Sequence, residues 1–545
     1  MIQPAVLTRA PLEALSSRVF DLLIIGGGII GCGVARDAAL RGLSVALVER
    51  SDFGSGTTSR STRLIHGGLR YLELFDFELV RADMREREIL LRTAPHLVKP
   101  LSFLVPIYRF RLYNRLRLRA GMLLYDLLSY DKSLPPHRLL SREATLEAEP
   151  ALDPDGLQGA SHYYDAQVAF PERLALENVL EAAALGAAAR SHCQAEHFLV
   201  EAGRVRGAAV RDTLTGQSVE IRARLTINAT GPWLDRQLAD LGQGWSSLLR
   251  TTRGAHIVTR QISQHAVVLF ARSDRRLFFV VPWFGLSLIG TTDIDDDEAP
   301  ERARASGEEV AYLLEAAQRA FPGLRAIRPL YGMAGIRALV RQEGVRAGQV
   351  SRKHAIREHV RSGGPAGLIS VVGGKITAYR QIAAETVDVA ARALGRRKAA
   401  CSTGRRPLPG AKLGNAESVA DALIGSYPQG ALDDSQRASL AERYGSRALD
   451  VLTLVEQNSS LGRRLCRGSP FILAEVVYAA RAEAAVTLSD VLLRRVPIGL
   501  TACQGLDCAE TAAAWLRSEL GWSEAQTREQ VEAYTAEIGD LYGIG

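Results

Sequence analysis

The stretch Phe20-Asp21-Leu22-Leu23-Ile24-Ile25-Gly26-Gly27-Gly28-Ile29-Ile30-Gly31 decides the fold. Its apolar run has the length of a buried strand and stops at glycines, where a strand gives way to a turn. Gly26, Gly28 and Gly31 stand at GxGxxG spacing. A helix pattern follows through Ala35, Ala38, Ala39 and Leu40 and ends at Arg41 and Gly42, with glycine where a helix C-terminus favours it. Residues 44–48 then read as a second strand that closes at Glu49, 21 residues beyond Gly28. Gly26 makes the tight turn, Gly28 admits a pyrophosphate close to the backbone, and Gly31 lets the helix pack on the strand. The phosphates rest on the helix N-terminus, and Glu49 accepts from the adenosine ribose hydroxyls while repelling a 2′-phosphate. A dinucleotide follows from this unit; FAD and NAD share the ADP half and are not separated by it.

Further segments lengthen the site. A loop dense in hydroxyls, with Thr57, Thr58, Ser59 and Ser61, leads into Leu64-Ile65-His66-Gly67-Gly68-Leu69-Arg70-Tyr71, and such a loop can lie along an extended cofactor. Residues 204–224 alternate around Thr215-Gly216 as a hairpin would, and an apolar strand at 225–229 stops at Thr230-Gly231-Pro232-Trp233. Another, at 368–372, stops at Gly373-Gly374-Lys375-Ile376-Thr377, so one ligand can gather several strand ends.

At 545 residues, with 47% hydrophobic, 6% aromatic and 23% charged residues, the chain is globular and exceeds one ordinary core. Its six cysteines include no CxxC, which points to reduced thiols in a cytosolic protein and to no metal. The acidic run Asp293, Asp295, Asp296, Asp297 and Glu298 lacks the glycine and distal glutamate of a calcium loop and reads as a solvated turn. His96 reads as structural. Residues 1–18 have no continuous apolar core and read as a short tail, and no run of about 18 apolar residues spans a membrane. The net charge of +7 alone does not choose between anionic partners, and no nucleic-acid motif is present. Arg109, Arg111, Arg115, Arg117 and Arg119, interleaved with Phe110, Leu112, Tyr113, Leu116 and Leu118, suit an anionic membrane surface.

The chain resembles the FAD-dependent, quinone-linked glycerol-3-phosphate dehydrogenases of the glycine/D-amino-acid oxidase group. The pieces that carry this are the GGGIIG turn, the IHGGLRYL segment, Asn228-Ala229-Thr230-Gly231-Pro232-Trp233, Arg253-Gly254-Ala255-His256, Ile289-Gly290-Thr291-Thr292-Asp293, Gly335-Ile336-Arg337 and Gly373-Gly374-Lys375. The resemblance implies an α/β chain, α+β overall. A Rossmann-like FAD domain over 19–404 carries antiparallel substrate-sheet insertions around 75–165 and 245–335, and a helical C-terminal domain covers 405–545, including a helical pattern over 474–493. It implies non-covalent FAD, oxidation of sn-glycerol 3-phosphate, electrons passed to membrane quinone at the inner face of the cytoplasmic membrane, and room for a homodimer. An FAD oxidase, or a dehydrogenase of another hydroxy acid, phosphorylated polyol or amine, is the alternative.

The cofactor set is then Gly26, Gly28, Gly31, Glu49, Thr57, Thr58, Ser59, Ser61, Leu64, His66, Gly67, Gly68, Thr230, Gly231, Gly374, Lys375, Ile376 and Thr377. Alcohol oxidation needs a base near the hydroxyl, and the RGAH context makes His256 that candidate. Arg337 can present two parallel donors to a phosphate, with Arg70, Tyr71 and Lys375 completing the site. One departure stands at Ala169-Phe170-Pro171-Glu172, a stretch longer and more apolar than the family pattern; were it near the pocket, it would alter substrate preference.

Overall fold

The computed structural model describes residues 6–68, 75–108, 112–242, 246–342, 353–396, 399–426 and 432–544. The opening fingerprint folds as a strand (Val19–Ile25), a helix (Ile29–Leu40) and a second strand (Val45–Val48). Both strands are buried on both faces, as parallel strands under helices must be. Leu22 and Ile24 pack among the helices Ile29–Leu40, Pro171–Ala184 and Tyr379–Ala393. Leu23 and Ile25 face the opposite layer, made with the hairpin strands Cys193–Glu201 and Arg204–Asp212.

Parallel pairing runs from Leu368–Val372 through Ser218–Asn228, Val19–Ile25 and Val45–Val48 to Ala188–Arg190. The hairpin expected at 204–224 and the strand expected at 225–229 share one continuous strand, Ser218–Asn228, whose first half pairs back on Arg204–Asp212 and whose second half enters the parallel core. Apolar residues 225–229 mark only the half buried on both faces.

A ten-stranded, mainly antiparallel sheet stands beside this one. Its strand Leu249–Arg260 lies between Leu286–Gly290 and Tyr331–Val340, placing His256 opposite Gly290 on one side and Met333 on the other. Beyond residue 404 the described chain is helical. The expected 474–493 helix is two helices, Leu473–Ala482 and Leu488–Arg494. It breaks where Glu483 is buried against Arg173 and Arg447, Ala484 takes φ 53°, and Thr487 caps the second helix by accepting from the Asp490 N–H. This domain docks on the substrate sheet through Tyr331, whose hydroxyl donates to the Leu500 carbonyl at 2.5 Å and whose ring meets Tyr542 edge-on.

The described part of the N-terminal tail is docked. Leu7 N–H donates to Ala482 O at 3.0 Å, and the helix Leu12–Ser16 buries Leu12 and Leu15. No helix among the described residues is long and apolar enough to cross a membrane. All six cysteines are free thiols.

Candidate active site

Gly26 sits at φ 105°, and a Cβ there would lie 2.6 Å from the Ala229 carbonyl oxygen. That pins the turn to the end of the neighbouring parallel strand. A Cβ on Gly31 would collide with the Gly26 carbonyl oxygen, so helix and turn touch through backbone alone. The helix then starts with Gly28 at its N-cap, and the Thr58 hydroxyl accepts from Ile29 N–H at 3.1 Å. Its first turn carries the positive end of the helix dipole. The buried Glu49 carboxylate accepts from Gly27 N–H at 2.6 Å and Ser51 N–H at 2.9 Å, while burial pushes its pKa up.

These groups open into a cavity of about 960 Å³, at the upper end of the roughly 300–1,000 Å³ typical of ligand sites. From the first sheet, Gly26, Gly28, Glu49, Thr230, Gly231 and the segment Gly374 to Thr377 line it. Thr57, Thr58, Ser61, Leu64 and His66 form another wall, and Gly254, His256 and Arg337 come from the substrate sheet. Four expected cofactor residues stand behind the surface. Gly31 packs as described, and the Ser59 hydroxyl donates to Gly54 O at 2.6 Å. Gly67 is pressed against Met84 and Tyr125, and Gly68 supplies a turn at φ 76°. Arg70 and Tyr71 lie outside the described residues.

At the substrate-sheet end, His256 is buried and its Nε2 lies 2.9 Å from the Thr62 hydroxyl. Burial, followed by the charges of Arg337 and Arg63, pushes its pKa down to about 3, so the imidazole is neutral near pH 7. Arg337 is braced, donating to Asp293 at 3.0 Å, to the Thr291 hydroxyl at 2.9 Å and to Thr292 O at 3.1 Å. Lys375 is ion-paired to buried Asp83, whose carboxyl burial raises to about 6. The His66 imidazole is likewise neutral, pushed by burial to about 4.

Two sequence expectations change. Asp295, Asp297 and Glu298 are exposed, but Asp293 has a fully buried side chain between Arg337 and Arg276, and Asp296 is buried against Arg253. The two buried members of this five-residue acidic run therefore orient arginines. Residues 169–172 do not line the cavity. Phe170 is core, Pro171 starts a helix, and Glu172 receives two Nη bonds from buried Arg63, at 3.0 and 3.1 Å. Ala169 and Glu172 both hold Arg63, which does line the cavity. His96 is structural, with Glu177 Oε1 3.0 Å from its Nε2.

Residues 21–380 match the family model described as FAD dependent oxidoreductase, and residues 401–527 match the C-terminal domain of alpha-glycerophosphate oxidase. The chain is 38% identical over 538 residues to glycerol-3-phosphate dehydrogenase of Synechocystis sp., covering 95% of this chain and 96% of that protein. It is 32% identical over 537 residues to aerobic glycerol-3-phosphate dehydrogenase of Staphylococcus aureus, covering 95% and 93%. The chain belongs to the FAD-dependent glycerol-3-phosphate dehydrogenase family. The solved glycerol-3-phosphate dehydrogenase of Bacillus halodurans, complexed with FAD, superposes with a TM-score of 0.78 at 29% identity and covers 97% of this chain and 96% of its own.

For a dehydrogenase of this family the cavity suits FAD: a glycine cradle that a Cβ would fill, a helix N-terminus, and a buried acid stand in one continuous space. Sequence reasoning missed several of its walls. Arg60 lies inside the hydroxyl-rich loop and Thr62 and Arg63 between it and the segment from Leu64, where position alone could have flagged them. His192 to Glu196 follow the outermost parallel strand of the FAD sheet. Thr487, Ser489, Arg494, Gln530 and Glu537 come from the C-terminal domain, and no local motif marks them.

Proposed function

We propose that this chain oxidises sn-glycerol 3-phosphate to dihydroxyacetone phosphate and passes the electrons to membrane quinone. The observation that carries this is one cavity joining the dinucleotide cradle to a buried, neutral histidine that feels the charges of Arg337 and Arg63, with Lys375 lining the same space. When bound, FAD supplies the hydride acceptor for the C2 hydrogen. Gly26, Gly28 and the helix at Ile29 hold its pyrophosphate, Glu49 its ribose, and the Gly374 to Thr377 turn the flavin end.

His256 takes the proton of the substrate hydroxyl at Nε2, directly or through Thr62, which requires the neutral imidazole that burial enforces. Arg337, fixed by Asp293, grips the phosphate together with Arg70 and Tyr71, and a dianion there offsets the positive field that depresses His256. Lys375 stabilises the negative charge that develops as the proton and hydride leave.

Membrane association rests on exposed apolar groups near the arginine stretch. Leu123 and Leu127 on the helix Leu112–Leu128, with Tyr130 just beyond, are 56%, 68% and 77% exposed. Arg119 of the same helix is exposed, whereas Arg109 and Arg111 lie outside the described residues and the side chains of Arg115 and Arg117 are not described. Such a mixture suits the interface of an anionic bilayer.

The test is anaerobic bleaching of the oxidised flavin. Rapid bleaching by sn-glycerol 3-phosphate but not by glycerol or lactate is expected, and a flavin that stays oxidised would remove the substrate assignment. Stoichiometric peroxide under air would identify oxygen rather than quinone as acceptor.

A further inference from the structure

Away from the cavity, the C-terminal domain gathers thiols that the chemistry above does not use. Cys466 Sγ lies 3.9 Å from Cys503 Sγ. An oxygen of Asp507 completes a set whose ligand atoms all lie within 4.8 Å of one another. Tetrahedral zinc with Zn–S bonds of about 2.3 Å holds two thiolates about 3.8 Å apart, so the two sulfurs already have that separation. Cys508, the next residue, is buried, and its thiol donates to the Gly505 carbonyl at 3.3 Å.

The backbone presents these groups from two tight turns. Cys466 precedes Gly468 at φ 82°, while Gln504 and Gly505, at φ 51° and 68°, fold the chain between Cys503 and the Asp507-Cys508 pair. Cys503 is half-buried and Asp507 exposed, which leaves an entry path from solvent.

We propose that Cys466, Cys503, Asp507 and Cys508 bind a structural zinc ion, with Cys508 turning from the Gly505 carbonyl to close the tetrahedron. Three thiolates and one carboxylate leave no open position, so the site is closed and takes no part in catalysis. Its effect is mechanical. Tyr534 of the helix Glu524–Tyr542 donates its hydroxyl to Gln504 O at 2.6 Å, and Ala533 and Glu537 of that helix line the FAD cavity. The ion would tie the turn at 503–508 to the turn at 466 and so stiffen this wall. The set is invisible to a short-spacing search because 37 positions separate Cys466 from Cys503.

The experiment is elemental analysis of the flavin-loaded protein purified without chelator, beside the Cys466→Ser/Cys503→Ser variant. About one zinc per chain in the first and a loss of most of it in the second is expected. In parallel, metal-stripped wild type titrated with Co²⁺ should develop tetrahedral d–d bands to the red of the oxidised flavin, and chelation should lower its melting temperature without removing the flavin spectrum. If the double variant is colourless and misfolded, the cobalt titration decides. Wild type that holds only trace zinc and gives no tetrahedral cobalt spectrum refutes the site, as does peptide mapping that finds Cys466 and Cys503 joined in a disulfide.

Discussion

Replacing Asp52 with asparagine should detach the C-terminal domain from the edge of the dinucleotide site. The Asp52 side chain is fully buried and accepts from Arg494 Nε at 2.8 Å and from Arg495 Nη1 and Nη2 at 2.7 and 2.9 Å. Arg494 retains Asp490 at 3.0 Å, but among the described residues Asp52 is the one carboxylate that Arg495 contacts. Asp52→Asn leaves that guanidinium buried without a counter-charge, a loss of about 3–5 kcal/mol. With an unfolding entropy of about 2.1 cal/mol/K per residue, such a loss lowers the melting temperature by about 3–4 °C if all 545 residues unfold as one unit. Because Asp52 follows Glu49 closely and its neighbour Phe53 packs under Gly27, FAD should also be released earlier. The assay is flavin fluorescence during a thermal ramp, read beside circular dichroism, for wild type, Asp52→Asn and Asp52→Asn/Arg495→Met. The double variant, having neither charge of the pair, should recover much of the loss. A single variant that melts within about 1 °C of wild type would show that this ion pair does not couple the domains.

His256→Gln should keep the flavin spectrum but slow anaerobic reduction by about 10²- to 10⁴-fold, and retention of wild-type rates would exclude His256 as the base. The same variant gives a pH signature. The folded pKa of His256, about 3, lies below its ordinary value, so wild type loses stability as pH falls below about 6.5, and near pH 5 the variant should be relatively more stable by about 2 kcal/mol; melting curves at both pH values check the sign. Arg337→Lys loses the fork held by Asp293 and should raise KM for sn-glycerol 3-phosphate about 10- to 100-fold, from steady-state kinetics with a dye acceptor. Gly31→Ala, whose methyl would collide with the Gly26 carbonyl, should purify without bound flavin.

The FAD half was the most legible part of the chain because its physics is local. Gly26, Gly28, Gly31 and Glu49 fall within one strand–helix–strand unit, where Gly26 and Gly31 answer to backbone contacts and Glu49 to nearby backbone N–H groups rather than to distant packing. The choice of His256 and Arg337, which both line the cavity, rests on family context; no periodicity marks either. What stayed hidden depends on long-range pairing. Asp293 reads as a surface acid until strand register brings Arg337 and Arg276 over it, and Glu172 as a helix-start acid until Arg63 arrives from 109 positions away. The helix break at 483–487 was hidden for the same reason, since Glu483 answers to Arg173, 310 residues earlier.

The contribution of the helix Glu524–Tyr542 to the cavity wall bears on how the protein is made. Synthesis runs from the N-terminus, so the glycine cradle and both sheets leave the ribosome long before Gln530, Ala533 and Glu537. A nascent chain can thus offer an open-sided chamber to free cofactor, and the side closes only when the final helix docks. Until then the chamber lacks the wall that Gln530, Ala533 and Glu537 supply.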